Sequence, residues 1–114
     1  MRFYILICFL FIGCIQKQSE KEFYQNGLLK WEKNIHSGKW IRYFENGKVR
    51  WESNYIKGLD GLFCATYYVN GQIHKEEFFI DGVREGDCVS YYRDGRIQKI
   101  ESYKDGDLIN SVYY

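Results

Sequence analysis

Four short segments, FYQNG, YFENG, YYVNG and YYRDG, recur along this chain with their glycines at Gly27, Gly47, Gly71 and Gly95, spaced 20, 24 and 24 residues apart. A second glycine follows each of them eleven residues later, at Gly38, Gly58, Gly82 and Gly106. Self-similarity at such a period marks a repeat architecture, in which one supersecondary unit stacks on the next and no unit buries its apolar side alone. The pattern divides the chain into repeats near 23–42, 43–66, 67–90 and 91–114.

Asn-Gly and Asp-Gly tolerate the positive φ angles of a two-residue type I′ turn, so each unit reads as strand, tight turn, strand, turn. Leu29, Val49, Ile73 and Ile97 stand two residues after the first glycine, and Ile35, Tyr55, Phe79 and Tyr103 stand eight after it. Period-two alternation puts these on one apolar face. Lys30, Arg50, His74 and Gln98, three after the glycine, and Glu32, Glu52 and Glu76, five after it, then fall on a wet face. A two-residue turn also sets Tyr24 across from Leu29, Phe44 from Val49, Tyr68 from Ile73 and Tyr92 from Ile97. The expected fold is all-β: a meander of consecutive hairpins, about nine or ten short antiparallel strands in a twisted single sheet. A 46% hydrophobic share supports folding, and the absence of Pro together with eleven Tyr suits strands.

The aromatic pair, the Asn-Gly and the second glycine eleven residues on resemble the MORN-variant repeat of YwqK-type antitoxin proteins. The two-glycine junctions Gly58–Gly61 and Gly82–Gly86 resemble that family's junction as well. The first repeat is four residues short there, with Gly38 running straight into Lys39 and Trp40. The resemblance implies a protein that neutralises a toxin by binding it through the repeat face.

Ahead of the repeats, Met1 and Arg2 precede an apolar run from Phe3 to Ile12 that ends in Gly13 and Cys14. Ten apolar residues make about 15 Å of helix, half of a bilayer core, which fits an export signal better than a span. A small residue directly before Cys resembles a bacterial lipoprotein signal, with Phe11, Ile12, Gly13 and Cys14 as the lipobox. It implies a signal over residues 1–13, a lipidated Cys14, a polar linker over 14–22 and an exported protein anchored to the bacterial envelope.

Sixteen Lys and Arg oppose fifteen Asp and Glu, and loss of Arg2 with the signal equalises them, so nothing attracts polyanions and nucleic acid is excluded. Beyond the signal, Cys64 and Cys88 stand one repeat apart. That is two strands, about 9.5 Å, too far for a disulfide and consistent with small buried hydrophobes. His36 falls in a turn and His74 on a strand, nearly two repeats apart, and no metal-binding, cofactor-binding or nucleophile–base spacing occurs. Glu76, Glu77 and Glu101 recur at strand positions where they serve as cross-strand partners of Lys and Arg. The chain therefore reads as a non-enzymatic binding protein with no small-molecule substrate.

Binding residues are sought in the aromatic row Phe23, Tyr43, Tyr67 and Tyr91, placed on the wet face across from polar or basic partners. Tyr supplies stiff contact area with a polar tip, and the alternative is simple sheet packing. The uncharged ending IleAsnSerValTyrTyr is an open edge for another strand. Tyr43, Tyr67, Tyr91, Tyr113 and Tyr114 are the candidate partner-binding residues. Two roles follow: a lipid-anchored adaptor, or the antitoxin or immunity-like protein implied by the resemblance.

Overall fold

The computed structural model describes residues 18–114, which form one open antiparallel sheet of ten strands and no helix. The strands are β1 (Ser19–Phe23), β2 (Leu29–Asn34), β3 (Trp40–Tyr43), β4 (Val49–Ile56), β5 (Gly61–Tyr67), β6 (Ile73–Ile80), β7 (Val83–Arg84), β8 (Gly86–Tyr91), β9 (Ile97–Lys104) and β10 (Asp107–Tyr113). They lie side by side in chain order, with the two-residue β7 and then β8 both pairing with β6. This is the hairpin meander that the glycine period requires. β1 takes in Ser19–Glu22, which composition alone assigns to the linker, because Asn34 to Trp31 of β2 give it partners. The expected signal and the lipidated Cys14 lie outside the described residues.

The Asn-Gly and Asp-Gly corners differ from the two-residue turn expected of them. In the first, Gly27 N–H donates to Tyr24 O at 3.0 Å and Tyr24 N–H donates to Leu28 O at 2.8 Å, leaving Gln25, Asn26 and Gly27 as a three-residue loop. Gly27 has φ +87°, which completes a type I turn with a glycine bulge. Type I′ geometry occurs instead at the second corners Asp81-Gly82 and Asp105-Gly106, where both residues have positive φ between paired Ile80–Val83 and Lys104–Asp107.

A second bulge follows each first corner. Phe23 pairs with Leu29 and Glu22 with Trp31, so Lys30 is unpaired; Arg50, His74 and Gln98 are skipped in the same way. Because the corner loop has three residues and not two, the first aromatic, not the second, opposes the aliphatic: Phe23–Leu29, Tyr43–Val49, Tyr67–Ile73 and Tyr91–Ile97. The unpaired residue of the bulge reverses the alternation beyond it. Val49 shares its face with Tyr43 and Glu52, whereas Tyr55, Phe79 and Tyr103 project from the other face. The expected single apolar face is thus split between the two sides.

A single layer has no interior, and Ala65 and Cys88, each 2% exposed, are the fully buried hydrophobic residues of the described chain. Stability comes from cross-strand pairs on both faces rather than from a core. Gly61 shows how tight these are: the Phe78 ring lies over it, and a Cβ would fall 2.6 Å from the Phe79 carbonyl oxygen.

Candidate functional site

One face is held by bonds between successive repeats. Tyr67 donates to Glu52 at 2.8 Å and Tyr91 to Glu76 at 2.7 Å, and Tyr43 donates to Glu32 at 2.5 Å. Burial, then the carboxylate bond, pushes the Tyr43 and Tyr67 phenols up to about 12; at Tyr91 the bond to Glu76 leads, with the same result. These three candidate binding residues are half-buried, and their hydroxyls are committed within the sheet. Tyr113 and Tyr114 are different, at 72% and 66% exposed.

The second aromatic of each pair sits in the corner, and where it is a tyrosine its hydroxyl reaches backbone 19–23 residues further along the chain. Tyr24, Tyr68 and Tyr92 hydroxyls donate to the backbone oxygens of Tyr43, Tyr91 and Tyr114 at 2.6, 2.8 and 3.2 Å. Asn26 does two jobs: its side-chain oxygen accepts from Leu28 N–H at 3.0 Å, and its amide donates to Glu45 O at 2.9 Å. Asn46 and Asn70 repeat the pattern toward Val69 and Arg93. Bulge residues stack on these rings, with Lys30 over Tyr24, Arg50 over Phe44 and His74 4.3 Å from Tyr68. His74 therefore packs on Tyr68 rather than standing across from Tyr67.

The opposite face carries what the sequence reading missed. Trp31 pairs with Arg42 and Arg42 with Trp51, while Lys33 pairs with Trp40 and Trp40 with Ser53. The indoles meet edge to face, with centroids 6.3 Å apart for Trp31–Trp40 and 5.7 Å for Trp40–Trp51. The Arg42 guanidinium lies 4.9 Å from the Trp40 ring centre and 5.6 Å from that of Trp51, and Lys33 Nζ lies 5.5 Å from Trp40. Neither cation pairs with a carboxylate among the described residues. Trp31 Nε1–H is taken by Glu22, while Trp40 Nε1–H is buried without an acceptor. Beside Trp31 a shallow hollow of about 290 Å3 is lined by Lys30, Arg42 and Arg50 against one carboxylate, Glu22. Trp31 and Trp51 both stand four after a corner glycine, a signal visible in the sequence; Lys75 and Lys99 take that place later.

In the later repeats this face is self-neutralised. Glu77 receives Lys75 at 3.1 Å and Arg84 at 2.9 Å, and Glu101 receives Lys99 at 3.1 Å. Cys64 and Cys88 occupy the positions equivalent to Trp40, on β5 and β8 with β6 between them, so they lie on the tryptophan face and not beside Val49 and Ile73. Burial raises both thiol pKa values. No group of three or more His, Cys, Asp or Glu among the described residues is placed to hold a metal ion.

Fold and surface together define a single-sheet hairpin-repeat protein with one stitched face and one aromatic–cationic face. The MORN repeat variant family matches residues 37–57 and 84–105, which are the hairpins β3–β4 and β8–β9 with their flanking turns. No curated protein and no solved structure matches the chain significantly.

Proposed function

We propose that this chain is a non-catalytic protein-binding module, held at the membrane of the bacterial envelope by a lipid on Cys14, and that it docks partners on its tryptophan face. The observation that carries the reading is the half-buried Trp31–Trp40–Trp51 cluster with the exposed Arg42 and Lys33 resting on its rings and unpaired with any carboxylate among the described residues. Trp and Arg dominate the energetics of protein interfaces, and a desolvated guanidinium seeks a carboxylate. The partner is therefore a protein surface bearing Asp or Glu. The neutralising role that the YwqK-type resemblance implies is the same act with a toxin as the partner.

Cross-linked affinity capture from membranes, comparing wild type with Trp51→Ala, Arg42→Glu and Lys75→Ala, tests the surface. A partner held by wild type and Lys75→Ala but lost from the other two supports it, and equal retention by all four rejects it. Membrane fractionation of Cys14→Ser tests the anchor: the variant should move to the soluble fraction, and unchanged membrane association rejects the lipid.

A further inference from the structure

The fourth repeat lacks the groups that join the first three to their successors. Where repeats one to three reach forward with the amides of Asn26, Asn46 and Asn70, the fourth has Asp94, which has no donor and turns back to Arg96 Nε at 2.8 Å. Where they offer Glu32, Glu52 and Glu76 to the next tyrosine, the fourth offers Ile100. Tyr114 follows Tyr113, which pairs with Lys99 as Ser90 pairs with Lys75, so Tyr114 holds the place of Tyr91, and the residue at the place of Glu76 is Ile100, which has no carboxylate to accept its hydroxyl. A further like repeat packed on β10 would lose both sets of bonds.

β10 nevertheless presents a strand edge with no strand beyond it among the described residues. From Leu108 to Tyr114 it has no charged side chain, and Leu108, Ile109, Val112, Tyr113 and Tyr114 are all exposed. β1, at the other end, carries Glu20, Lys21 and Glu22. Charge on an edge guards against strand addition, and an uncharged apolar edge invites it. We propose that β10 pairs with β10 of a second copy, antiparallel about a twofold axis at Val112.

Self-pairing brings no like charges together along this stretch. Cross-strand partners must share a face, and the bulge at Ile109 leaves Asn110–Tyr114 as the regular segment. An axis at Val112 sets Val112 on Val112, Ser111 on Tyr113 and Asn110 on Tyr114, each pair on one face. The aliphatic row Val89–Ile100–Val112, paired through β8, β9 and β10, then runs unbroken into the row of the other copy. Such an interface is isologous and closes at two copies.

Sedimentation of the full chain, with Val112→Lys as the disrupting variant and Phe23→Lys on β1 as the control, tests this edge. Wild type and Phe23→Lys should sediment as dimers and Val112→Lys as a folded monomer by circular dichroism. Oxidised Val112→Cys should give a covalent dimer above the wild-type background and Ser111→Cys should not, because directly opposed Cα atoms about 4.5–5.5 Å apart fit a disulfide. A monomeric wild type, a dimer insensitive to Val112→Lys, or equal cross-linking by both cysteines overturns the proposal. None of these readouts involves the tryptophan face.

Discussion

Removing the middle rung of the tyrosine–glutamate ladder tests how the repeats are joined. Tyr67→Phe deletes the hydroxyl that donates to Glu52 at 2.8 Å and leaves the ring in place. A hydrogen bond to a charged group contributes about 1.5–3 kcal/mol when well shielded; both partners here are half-buried, so solvent competition brings the expected loss to about 1 kcal/mol. Glu52→Ala should cost a similar amount, and the double variant little more than either. Urea unfolding of the four proteins would then give a coupling energy of about 1 kcal/mol, where independent sites add within about 0.3–0.5 kcal/mol. The ladder also predicts a pH dependence. Tyr67 is held up to about 12 in the fold while an unfolded tyrosine titrates near 10, so the stabilisation is whole below pH 10 and falls as pH rises toward 12. Tyr67→Phe should flatten that fall. Simple additivity, together with an unchanged alkaline profile, would refute the ladder as a join between repeats.

Gly61→Ala should cost about 1–3 kcal/mol, because the new methyl meets the Phe79 carbonyl oxygen at 2.6 Å and backbone cannot yield as a side-chain tip can; thermal melting checks it, and an unchanged midpoint would show that β5 and β6 are loosely packed. Asn26→Asp keeps the acceptor used by Leu28 N–H but puts a carboxylate against Glu45 O, so a loss of about 1 kcal/mol is expected, while Asp94→Asn should be close to neutral. In a disulfide-exchange assay at pH 8, the Cys88 thiol should react far more slowly in the fold than in denaturant, since it is 2% exposed and burial disfavours its thiolate. Equal rates would place β8 in solvent.

The glycine period made strands, corners and the single sheet legible, because Asn-Gly and Asp-Gly have few backbone options. The register was not legible, and the reason is specific. The unpaired residue of each bulge is Lys30, Arg50, His74 or Gln98, polar side chains that fit a regular wet-face strand position equally well, since a bulge is set by the backbone of the corner rather than by the residue it displaces. Missing that one residue moved Tyr55, Phe79 and Tyr103 to the wrong side, and reading the corner as two residues where it has three made the second aromatic, not the first, the cross-strand partner. The recurrence of Tyr43, Tyr67 and Tyr91 and of Glu32, Glu52 and Glu76 was plain in the sequence. That each tyrosine bonds the glutamate of the preceding repeat follows only once the strands are aligned. The tryptophans were visible four after Gly27 and Gly47, but Trp40 joins them only through its pairing with Ser53 and Lys33.

The division of labour between the faces follows from the same ladder. A one-layer sheet must bond each repeat to the next without a core. Here the face bearing Tyr43, Tyr67 and Tyr91 does so with hydroxyls and carboxylates that are then unavailable to a partner. The opposite face is free to vary: at the positions of Trp51 and Trp40 the next repeats carry Lys75 with Cys64, then Lys99 with Cys88, and their charges are satisfied by Glu77 and Glu101. Equivalent backbone sites thus hold bare cations on indoles in the first two repeats and closed ion pairs in the last two. Burying the closed pairs against a partner would desolvate charges already matched, whereas Arg42 and Lys33 would gain a carboxylate they lack, which is why the proposed docking is assigned to the Trp31–Trp51 end of the sheet.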